Sequence, residues 1–499
     1  MTEQPSYPLS AEVRAFLSDE PLRMLVGSEW QLAASGRAFP VFDPSTGQVI
    51  AHVAEGDTMD IDRAVSAAEE AFPRWQKVSP AERARLIWRL SELIERDADH
   101  LAQLDTLNVG LPLSKTRFGE IPAIVDDFRY YAGWPTKIHG KTLPASSTSL
   151  TVYTVREPIG VCGAIIPWNF PLPGVSGKLG PALACGNVVV LKPAEESPLS
   201  ALWLGRLFLE AGFPPGVVNI VPGFGETAGA ALANHPGVRK VGFTGSTEVG
   251  RKIVQASAGN LKRVSLELGG KSPNVVLADA DLDLAADRAV WAIFSHAGQN
   301  CIAGSRMYIE DAVYEEVVER VCQLTRKIRV GVAFDPETQV GPLISSRQLD
   351  RVLGYVRQGI QAGAVIRLGG GRPNGVPDSG FFLEPTVFVD ASEDMAIVRE
   401  EIFGPVLAIL PFDSFDDLIE RANNTEYGLA AAIWTRDLKR AHQFARVAQA
   451  GTVWINGYGL ADAPAPFGGL KQSGFGRELG EASLDEYLQT KTVWVNHAA

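Results

Sequence analysis

Three polar side chains of this sequence have the chemistry to attack a carbonyl carbon and to hold the resulting adduct. Cys301 closes the run Gly-Gln-Asn-Cys, and a thiol at a junction between helix and loop can be presented to a cleft near backbone N–H groups. Glu267 ends a strand-like segment directly before Gly-Gly, a position that suits a general base acting on water. Asn169, in Pro-Trp-Asn-Phe-Pro, offers an amide donor for an oxyanion.

Each of these side chains also has an ordinary structural explanation. An isolated cysteine is more often a small buried residue, a loop glutamate is often simply solvated, and the segment 167–171 could be an aromatic turn packed on the core. Cys162, Cys185 and Cys322 stand in apolar or helical contexts and are expected to be buried, with no spacing typical of disulfides or zinc. A cysteine hydrolase would need a histidine partner, and the helical position of His296 does not indicate one.

Two other segments have features that suit a dinucleotide. Lys192 and Glu195 follow the strand expected at 188–191, where a carboxylate could accept hydrogen bonds from both ribose hydroxyls, although an exposed loop pair would look the same. Ser246 begins a helix after the strand expected at 240–243, and free N–H groups at a helix N-terminus favour a pyrophosphate. The glycines nearby have neither the spacing of a P-loop nor that of an ordinary dinucleotide fingerprint.

These residues require a scaffold that brings distant segments together. Strands alternate with helices over 161–268, which predicts a parallel sheet covered on both faces, with ligands beyond the carboxyl ends of its strands. A second α/β stretch follows, and a helix expected over 281–297 leads to Cys301. The strand-like segments 141–156 and 490–495 lie outside this alternation and could pair with each other or with another subunit.

The size and charge of the chain limit the classes of protein to which it can belong. With 499 residues and 46% hydrophobic content, two or three domains are expected. A formal net charge of −12 disfavours nucleic acid and anionic membrane surfaces as partners. Because the sequence shows neither a basic region followed by an apolar leader nor an apolar run of transmembrane length, we expect a cytoplasmic protein with no membrane partner.

Seven motifs, taken in their order and spacing, resemble those of the aldehyde dehydrogenase superfamily over roughly residues 30 to 495. They are PWNFP at 167–171, KPAE at 192–195, FTGSTEVG at 243–250, ELGGKSP at 267–273, GQNC at 298–301, EEIFGP at 400–405 and PFGGLKQSGFGRELG at 466–480. The resemblance implies an α/β fold with two Rossmann-like domains and a small β oligomerisation domain. It places the NAD-binding domain at 1–140 and 157–262, the catalytic domain at 263–482, and the oligomerisation arm at 141–156 and 483–499.

The resemblance also implies a reaction, the oxidation of an aldehyde to a carboxylic acid through a thioester. Cys301 is similar to the family's nucleophile, Glu267 to its general base, and Asn169, with the backbone N–H of Cys301, to its oxyanion hole. Lys178 and Glu478 match a proposed proton-relay pair. The partners implied are a small-molecule aldehyde and further copies of the chain, as a homodimer or homotetramer.

The cofactor implied is NAD+, with NADP+ possible, and no metal is expected. Glu195 favours NAD+ because a carboxylate would repel a 2′-phosphate. The residues that match cofactor-binding positions of the family, or that lie beside them, are Ile165, Pro167, Trp168, Lys192, Glu195, Gly225, Gly229, Phe243, Gly245, Ser246, Leu268, Glu401 and Phe403.

The expected substrate pocket departs from that of many relatives, which carry larger side chains at several of its positions. The side-chain volume is smaller than in those relatives at Gly174, Gly177 and Ser295, and in the segment 457–465 at Gly459 and Ala461. These differences predict a wide apolar mouth for bulky aromatic or terpenoid aldehydes. Alternatively, main-chain shifts or the side chains of Phe170, Tyr458 and Phe467 refill the space. The pocket residues expected are Phe170, Gly174, Gly177, Ser295, Asn300, Ile302, Ala461 and Phe467.

Three other functions remain as alternatives. A CoA-acylating enzyme of the same fold would usually lack a base at the position of Glu267. A semialdehyde dehydrogenase would need a basic residue in the mouth, and the sequence offers none there. A non-catalytic protein that kept the fold would have little reason to retain Cys301, Glu267 and Asn169 together.

Overall fold

The computed structural model of the chain describes residues 7–498 as a mixed α/β protein. Its helices are α1 (Ala11–Ser18), α2 (Thr58–Trp75), α3 (Pro80–Arg96), α4 (Ala98–Val109), α5 (Leu113–Lys115), α6 (Ile121–Ala132), α7 (Pro171–Ala184), α8 (Leu199–Ala211), α9 (Ala230–Asn234), α10 (Thr247–Ser257), α11 (Leu282–Phe294), α12 (Tyr314–Thr325), α13 (Ser346–Gln361), α14 (Ala396–Arg399), α15 (Phe415–Asn423), α16 (Leu438–Val447) and α17 (Ala482–Asp485).

The strands form two large sheets and three small ones. They are β1 (Met24–Val26), β2 (Glu29–Gln31), β3 (Ala38–Asp43), β4 (Gln48–Ala54), β5 (Thr142–Leu143), β6 (Leu150–Pro158), β7 (Val161–Ile165), β8 (Val188–Lys192), β9 (Val218–Ile220), β10 (Lys240–Thr244), β11 (Arg263–Glu267), β12 (Pro273–Val276), β13 (Arg306–Glu310), β14 (Val365–Leu368), β15 (Thr386–Val389), β16 (Val406–Phe412), β17 (Tyr427–Gly428), β18 (Ala430–Trp434), β19 (Thr452–Ile455), β20 (Leu470–Lys471), β21 (Gly474–Phe475) and β22 (Leu488–Asn496).

The first large sheet has eight strands in the order β2-β1-β9-β8-β7-β10-β11-β21, and β7 to β11 are parallel. All five residues of β8 are buried, as is typical of a parallel strand with helices on both faces. In the register of this sheet Ile165 is paired with Lys192 and with Phe243, and Thr244 with Glu267. These residues therefore end neighbouring strands along one edge of the sheet.

The second large sheet has seven strands in the order β14-β15-β16-β13-β12-β18-β19, all parallel except β14. The chain passes from the first sheet to the second between Glu267 and Pro273, through Gly269 and Gly270. The boundary expected between 262 and 263 is thus misplaced by one strand, because β11 pairs with β10. The later strand β21 also returns to the first sheet.

A three-stranded sheet of order β22-β6-β5 forms an arm outside these layers. The strands β6 and β22 are antiparallel over their full lengths, from Leu150 opposite Asn496 to Pro158 opposite Leu488. The two strand-like segments at 141–156 and 490–495 therefore pair with each other. Among residues 7–498 no helix is both long and apolar enough to cross a bilayer.

Candidate active site

The carboxyl edge of the first sheet and the start of the second enclose a cavity of about 210 Å³. Cys301, Glu267 and Asn169, which lie far apart in sequence, all line it. The full lining is Pro167, Trp168, Asn169, Thr244, Gly245, Ser246, Glu267, Leu268, Gly269, Cys301, Gln348, Arg351, Glu401 and Phe403. The structure therefore brings the three reactive side chains predicted from sequence together with several predicted cofactor residues.

A break in the backbone presents Cys301 to this cavity. The helix α11 ends at Phe294, and not at 297 as expected, because His296 and Ala297 adopt left-handed φ angles of 52° and 53°. Gly298 follows with φ 72°, and a Cβ there would lie only 2.1 Å from a backbone oxygen. Only glycine fits this close approach, so the Gly-Gln-Asn-Cys run leaves the helix in one fixed direction.

The Cys301 thiol is held in its neutral form by its surroundings. Burial, together with the carboxyls of Glu401 and Glu267, raises its pKa to about 12, while the backbone N–H groups of Cys301 and Ile302 act in the opposite direction. Thiolate is the nucleophilic form. The thiol must therefore lose its proton before it can attack. Cys162, Cys185 and Cys322 are buried, as expected.

Asn169 is fixed beside the nucleophile by one of its amide hydrogens. Its Nδ2 donates to the carbonyl oxygen of Gln299 at 2.9 Å, and the side chain is buried. The Gln299 side chain is itself held, because its Oε1 accepts from the backbone N–H of Ile344 at 2.8 Å. An amide group carries two N–H donors, so the second donor of Asn169 is available to stabilise an oxyanion formed beside Cys301.

Glu267 is a buried carboxyl whose two oxygens have no hydrogen-bond partner within the described part of the chain. Burial raises its pKa well above the usual value, Glu478 raises it further, and Lys178 and Arg477 act against this. A Cβ on Gly468 would lie 2.7 Å from Glu267 Oε1. The carboxyl thus rests against glycine backbone, and its oxygens are free to bind water.

Glu401 packs on the Gly-Gly turn that follows Glu267. Its Oε1 accepts from the Gly270 N–H at 2.9 Å, and a Cβ on Gly269 would lie 2.2 Å from its Oε2. Burial raises the pKa of Glu401 to about 7. A side chain at residue 269 would therefore have to displace the Glu401 carboxyl.

Lys178 and Glu478, the predicted relay pair, meet as a buried ion pair. Lys178 is 1% exposed, and its Nζ donates to Glu478 Oε1 and, at 2.5 Å, to Thr244 Oγ1. Thr244 ends β10 beside Glu267 in the sheet register. The pair therefore lies next to the carboxyl that would act as the base.

The predicted ribose and pyrophosphate residues lie at the ends of β8 and β10. Lys192 Nζ lies 3.0 Å from Glu195 Oε2. Burial opposes ionisation of Glu195, but Lys192 and backbone N–H groups outweigh it and lower its pKa. Within residues 7–498 no atom lies within 4 Å of a Cβ placed on Gly225, and one on Gly229 would touch the Lys192 stem at 3.6 Å. This open cradle beside a charged pair fits the adenosine part of a dinucleotide.

Ser246 caps α10, because its Oγ accepts from the Val249 N–H at 3.3 Å. It is exposed at the cavity, at the N-terminus where an anion is favoured. Gly245 beside it needs its small size, since a Cβ there would lie 2.5 Å from the Phe243 ring. The buried side chain of Leu268 completes this part of the wall. Ile165, at the end of β7, is buried but does not line the cavity.

The far end of the cavity is aromatic. Trp168 and Phe403 meet edge to face at 5.2 Å, and Phe403 has a left-handed φ of 60°. The Gln348 side chain donates to the Phe403 carbonyl at 2.7 Å, and Arg351 donates to the Glu401 carbonyl at 2.9 Å. Sequence reasoning missed Gln348 and Arg351, because α13 carries no recognisable motif. In the sequence, the only indication of these two residues is that they belong to a run of polar residues on a helix whose pattern is otherwise ordinary.

Two of the glycines of α7, Gly174 and Gly177, have different neighbours. A Cβ on Gly174 would lie 3.1 Å from Ile166, so the Ile166 side chain already occupies that space. A Cβ at Gly174 therefore has little room, and the open volume expected at this point stays a prediction. A Cβ on Gly177 would instead meet Glu478 Oε2 at 3.1 Å and, apart from that carboxyl, no other described atom within 4 Å.

The remaining residues predicted for the substrate pocket lie around Cys301 and the exposed loop before Phe467. Phe170 packs on the ring of His296, with centroids 5.1 Å apart. The Tyr458 hydroxyl donates to the Ile302 carbonyl at 2.6 Å, so Tyr458 packs behind the nucleophile segment. Ala461 is exposed, while Ser295, Asn300, Ile302 and Phe467 are half-buried. The wide mouth of the substrate pocket stays a prediction, and the exposure of these residues is compatible with it.

Comparison with known proteins agrees with this geometry. The profile of the aldehyde dehydrogenase family matches residues 30–493. Human retinal dehydrogenase 2 is 50% identical over 478 residues, covering 95% of this chain and 91% of that protein. Human mitochondrial aldehyde dehydrogenase is 51% identical over 477 residues, covering 95% and 92%. The NAD+ complex of an aldehyde dehydrogenase from Bacillus cereus superposes with TM-score 0.96 at 50% identity, covering 98% of this chain and 99% of that one.

The fold and the site define a nicotinamide-dependent oxidoreductase. The chain belongs to the aldehyde dehydrogenase family. It oxidises aldehydes and depends on NAD(P)+, and the expected α/β fold and cofactor are confirmed.

Proposed function

We propose that this enzyme oxidises a bulky, mostly apolar aldehyde, aromatic or terpenoid, to its carboxylic acid through a thioester on Cys301, with NAD+ as the acceptor. The observation that carries the proposal is that Cys301, Glu267 and Asn169 line one cavity with the aromatic pair Trp168 and Phe403. A nucleophile, a base and an amide donor are the groups that this two-stage reaction requires.

In the first stage the Cys301 thiol gives its proton to solvent water, and the resulting thiolate sulfur attacks the aldehyde carbon. The oxyanion that forms accepts hydrogen bonds from the second N–H of Asn169 and from the backbone N–H of Cys301. An aldehyde C–H is a poor hydride donor, and this adduct is a far better one. Trp168 and Phe403 would hold the nicotinamide end of NAD+, which would supply the hydride acceptor when bound.

In the second stage Glu267 takes a proton from water, and the oxygen of that water attacks the thioester carbon. The bond from carbon to sulfur then breaks, which releases the carboxylic acid and regenerates the thiolate of Cys301. Both Glu267 oxygens are buried and without a partner in the part of the chain that is described, so one of them can bind this water. This supports hydrolysis over the CoA-acylating alternative. A semialdehyde dehydrogenase of the same fold is the other alternative.

NAD+ is proposed over NADP+ because of Glu195. Its carboxylate is ionised beside Lys192 and can accept hydrogen bonds from ribose hydroxyls, while a 2′-phosphate would meet a like charge.

A large substrate is proposed because the loop before Phe467 leaves room at the mouth. Gly459 and Ala461 are exposed, and no atom of the described residues lies within 4 Å of a Cβ built on Gly459. The name of one relative, retinal dehydrogenase 2, refers to a large apolar aldehyde. Tyr458 does not fill this space, because its hydroxyl is bound to Ile302.

A homodimer or homotetramer in the cytoplasm is proposed as the working form. The three-stranded arm of β5, β6 and β22 exposes several apolar side chains, namely Leu143, Tyr153, Val155, Trp494 and Val495. An oligomer interface would bury such exposed apolar side chains. Light scattering of the purified protein would give the oligomeric state, and fractionation of the source cells would give the location.

The decisive experiment follows NADH formation with an aldehyde panel that ranges from acetaldehyde to aromatic and terpenoid aldehydes, with CoA present and absent. We expect acid as the product, NAD+ preferred over NADP+, and the highest kcat/KM with ring-bearing or long apolar aldehydes. Cys301→Ala should abolish turnover, and Cys322→Ala, a buried thiol elsewhere, should keep it. Turnover by Cys301→Ala, an acyl-CoA product, or activity confined to acetaldehyde would contradict the proposal.

A further inference from the structure

Asn300 begins the turn that carries Cys301. Its backbone carbonyl accepts a hydrogen bond from the Ala303 N–H at 3.0 Å, which closes a four-residue turn with Cys301 and Ile302 at its centre. The side chain of Asn300 folds over the same turn, because its Oδ1 accepts from the Ile302 N–H at 3.2 Å. Asparagine is favoured at the first position of such turns because its side chain can make this contact with the backbone two residues on.

The Ile302 N–H has a second acceptor, the sulfur of Cys301. Burial and the carboxyls of Glu401 and Glu267 raise the pKa of this thiol, and hydrogen bonds from the Cys301 and Ile302 N–H groups act against them. A backbone N–H carries a single hydrogen. The share of the Ile302 hydrogen that Asn300 Oδ1 takes is therefore lost to the sulfur.

The side-chain oxygen of Asn300 also favours the protonated sulfur directly. The Cys301 thiol lies 3.9 Å from Asn300 Oδ1, within reach of a weak S–H···O hydrogen bond. A thiolate in the same place would have no hydrogen to donate and would face the negative end of the amide C=O dipole. Both contacts of Oδ1 thus stabilise the thiol relative to the thiolate, which is the nucleophilic form.

We propose that Asn300 is a positioning residue that holds the resting nucleophile as a thiol, because its side-chain oxygen competes with the Cys301 sulfur for the Ile302 N–H. The inference rests on the proposed role of Cys301 as the nucleophile and concerns the step before its attack, the loss of the thiol proton to solvent water. The sequence predicts Asn300 only as a residue of the substrate pocket. The contact with the Ile302 N–H gives it a second role.

The test measures alkylation of Cys301 by iodoacetamide in the whole enzyme, without aldehyde or NAD+, and locates the label by mass spectrometry of the peptides. Asn300→Ala returns the Ile302 N–H to the sulfur. Alkylation of this variant should be faster than that of the wild type by about five- to tenfold, since one unit of pKa changes the thiolate fraction about tenfold. The matched control, Asn374→Ala, removes an exposed asparagine side chain from the loop between β14 and β15 and should react as the wild type does.

The ratio of the Asn300→Ala rate to the wild-type rate should be constant from about pH 6 to about pH 9. The pKa of the Cys301 thiol is about 12, so thiolate is the minor form in both proteins over this range. Glu401 and Glu267, the carboxyls that act on the sulfur, are present in both proteins, so their titration cancels from the ratio. A variant that only disturbed the packing of these carboxyls would change their titration and make the ratio depend on pH.

Two further variants separate this role from a role in shaping the turn. In Asn300→Ser the hydroxyl can accept from the same N–H more weakly, so the alkylation rate should lie between those of Asn300→Ala and the wild type. Asn300→Asp keeps the acceptor oxygen and adds a negative charge, so it should react about threefold more slowly than the wild type at about pH 8. If Asn300 only shaped the turn, serine and aspartate would both react like the wild type.

Alkylation measures Cys301 without turnover, so its outcome is independent of the substrate. An Asn300→Ala rate that equals or falls below the wild-type rate, or a rate ratio that changes with pH, would overturn the inference and leave the proposed function intact. Absence of NADH formation with every aldehyde would instead overturn the proposed function.

Discussion

Asn169 Nδ2 donates a hydrogen bond to the carbonyl oxygen of Gln299, 2.9 Å away. Asn169 follows the first sheet and Gln299 leads to Cys301, so this contact ties the two halves of the site together. It sets the direction of the remaining amide hydrogen relative to the sulfur. Preorganised donors of this kind stabilise an oxyanion without reorganising during the reaction.

Replacement of Asn169 should therefore lower kcat more than it changes cofactor binding. Asn169→Ala removes the donor, and we expect kcat to fall by about 10²- to 10³-fold, the usual cost of one oxyanion donor. Steady-state NADH formation measures kcat, and quenching of protein fluorescence by NADH measures cofactor binding. A variant that loses cofactor binding in parallel with kcat would indicate a collapsed loop and contradict this role.

Glu267→Gln should stop the reaction after the first stage. The glutamine keeps the shape of the side chain but cannot take a proton from water, so hydrolysis of the thioester should slow by about 10²- to 10⁴-fold. A rapid burst of NADH followed by a very slow steady state is the expected time course. Intact-protein mass spectrometry should then show the acyl group on Cys301. A variant without a burst would place Glu267 in the first stage.

The Glu401 carboxyl should control how readily Cys301 ionises. Its charge raises the pKa of the thiol, and its own pKa is raised to about 7 by burial. Glu401→Gln removes that charge, so the thiol pKa should fall and alkylation by iodoacetamide should become faster, by about threefold at alkaline pH.

The expected effect of Glu401→Gln on the alkylation rate depends on pH. Below about pH 7 the wild-type Glu401 binds a proton and is neutral, so wild type and variant should react at similar rates. Above that pH the wild-type carboxylate is charged, and the ratio of the two rates should increase. A ratio that is constant from about pH 6 to about pH 9 would show that Glu401 acts on Cys301 only through packing.

The sequence sufficed to predict the residues that stand at strand ends. Glu267 and Lys192 each follow a run of strand type, and the register of parallel strands brings such ends to one edge. For the two arm strands, composition and position outside the alternation left two outcomes open, pairing with each other or with another subunit, and the structure shows the first. In each case a short local pattern identified the strand.

Residues that depend on tertiary contacts could not be predicted in this way. Gln348 and Arg351 reach the cavity because α13 packs against the segment that carries Phe403, and no local pattern encodes that contact. The end of α11 was misjudged because Ser295, His296 and Ala297 contain no glycine or proline, the usual signals of a helix end.

The expectation that Gly174 and Gly177 of α7 share one pocket came from the resemblance to the family. Gly174 and Gly177 lie three residues apart, a spacing that places side chains on one helix face. Their neighbours nevertheless differ, since Ile166 comes from the end of the first sheet and Glu478 from the chain beyond Phe467. Two residues on the same helix face therefore need not line the same pocket.

A buried acid pair remote from Cys301 should make the stability of the protein depend on pH. Asp105 on α4 is 2% exposed, and burial raises its pKa from 3.8 to about 7. Burial and the neighbouring Asp105 carboxyl raise the pKa of Glu120 as well. The folded protein therefore holds protons that the unfolded chain releases at lower pH. Its stability should decrease as pH rises from about 4 to about 7, the direction expected when the folded state binds more protons.

Asp105→Asn replaces a side chain that binds a proton in the folded state with one of the same shape that does not titrate. Its Tm should fall less than that of the wild type between about pH 5 and about pH 8, and should exceed the wild-type Tm at the upper end by roughly 1–3 °C. Thermal unfolding followed by fluorescence at several pH values measures this difference. Asp350→Asn changes an exposed carboxyl and should leave the pH dependence as it is. If Asp105→Asn lowers the Tm equally at every pH, the pair contributes a hydrogen bond and no titration, because a lost contact between neutral groups does not vary with proton concentration.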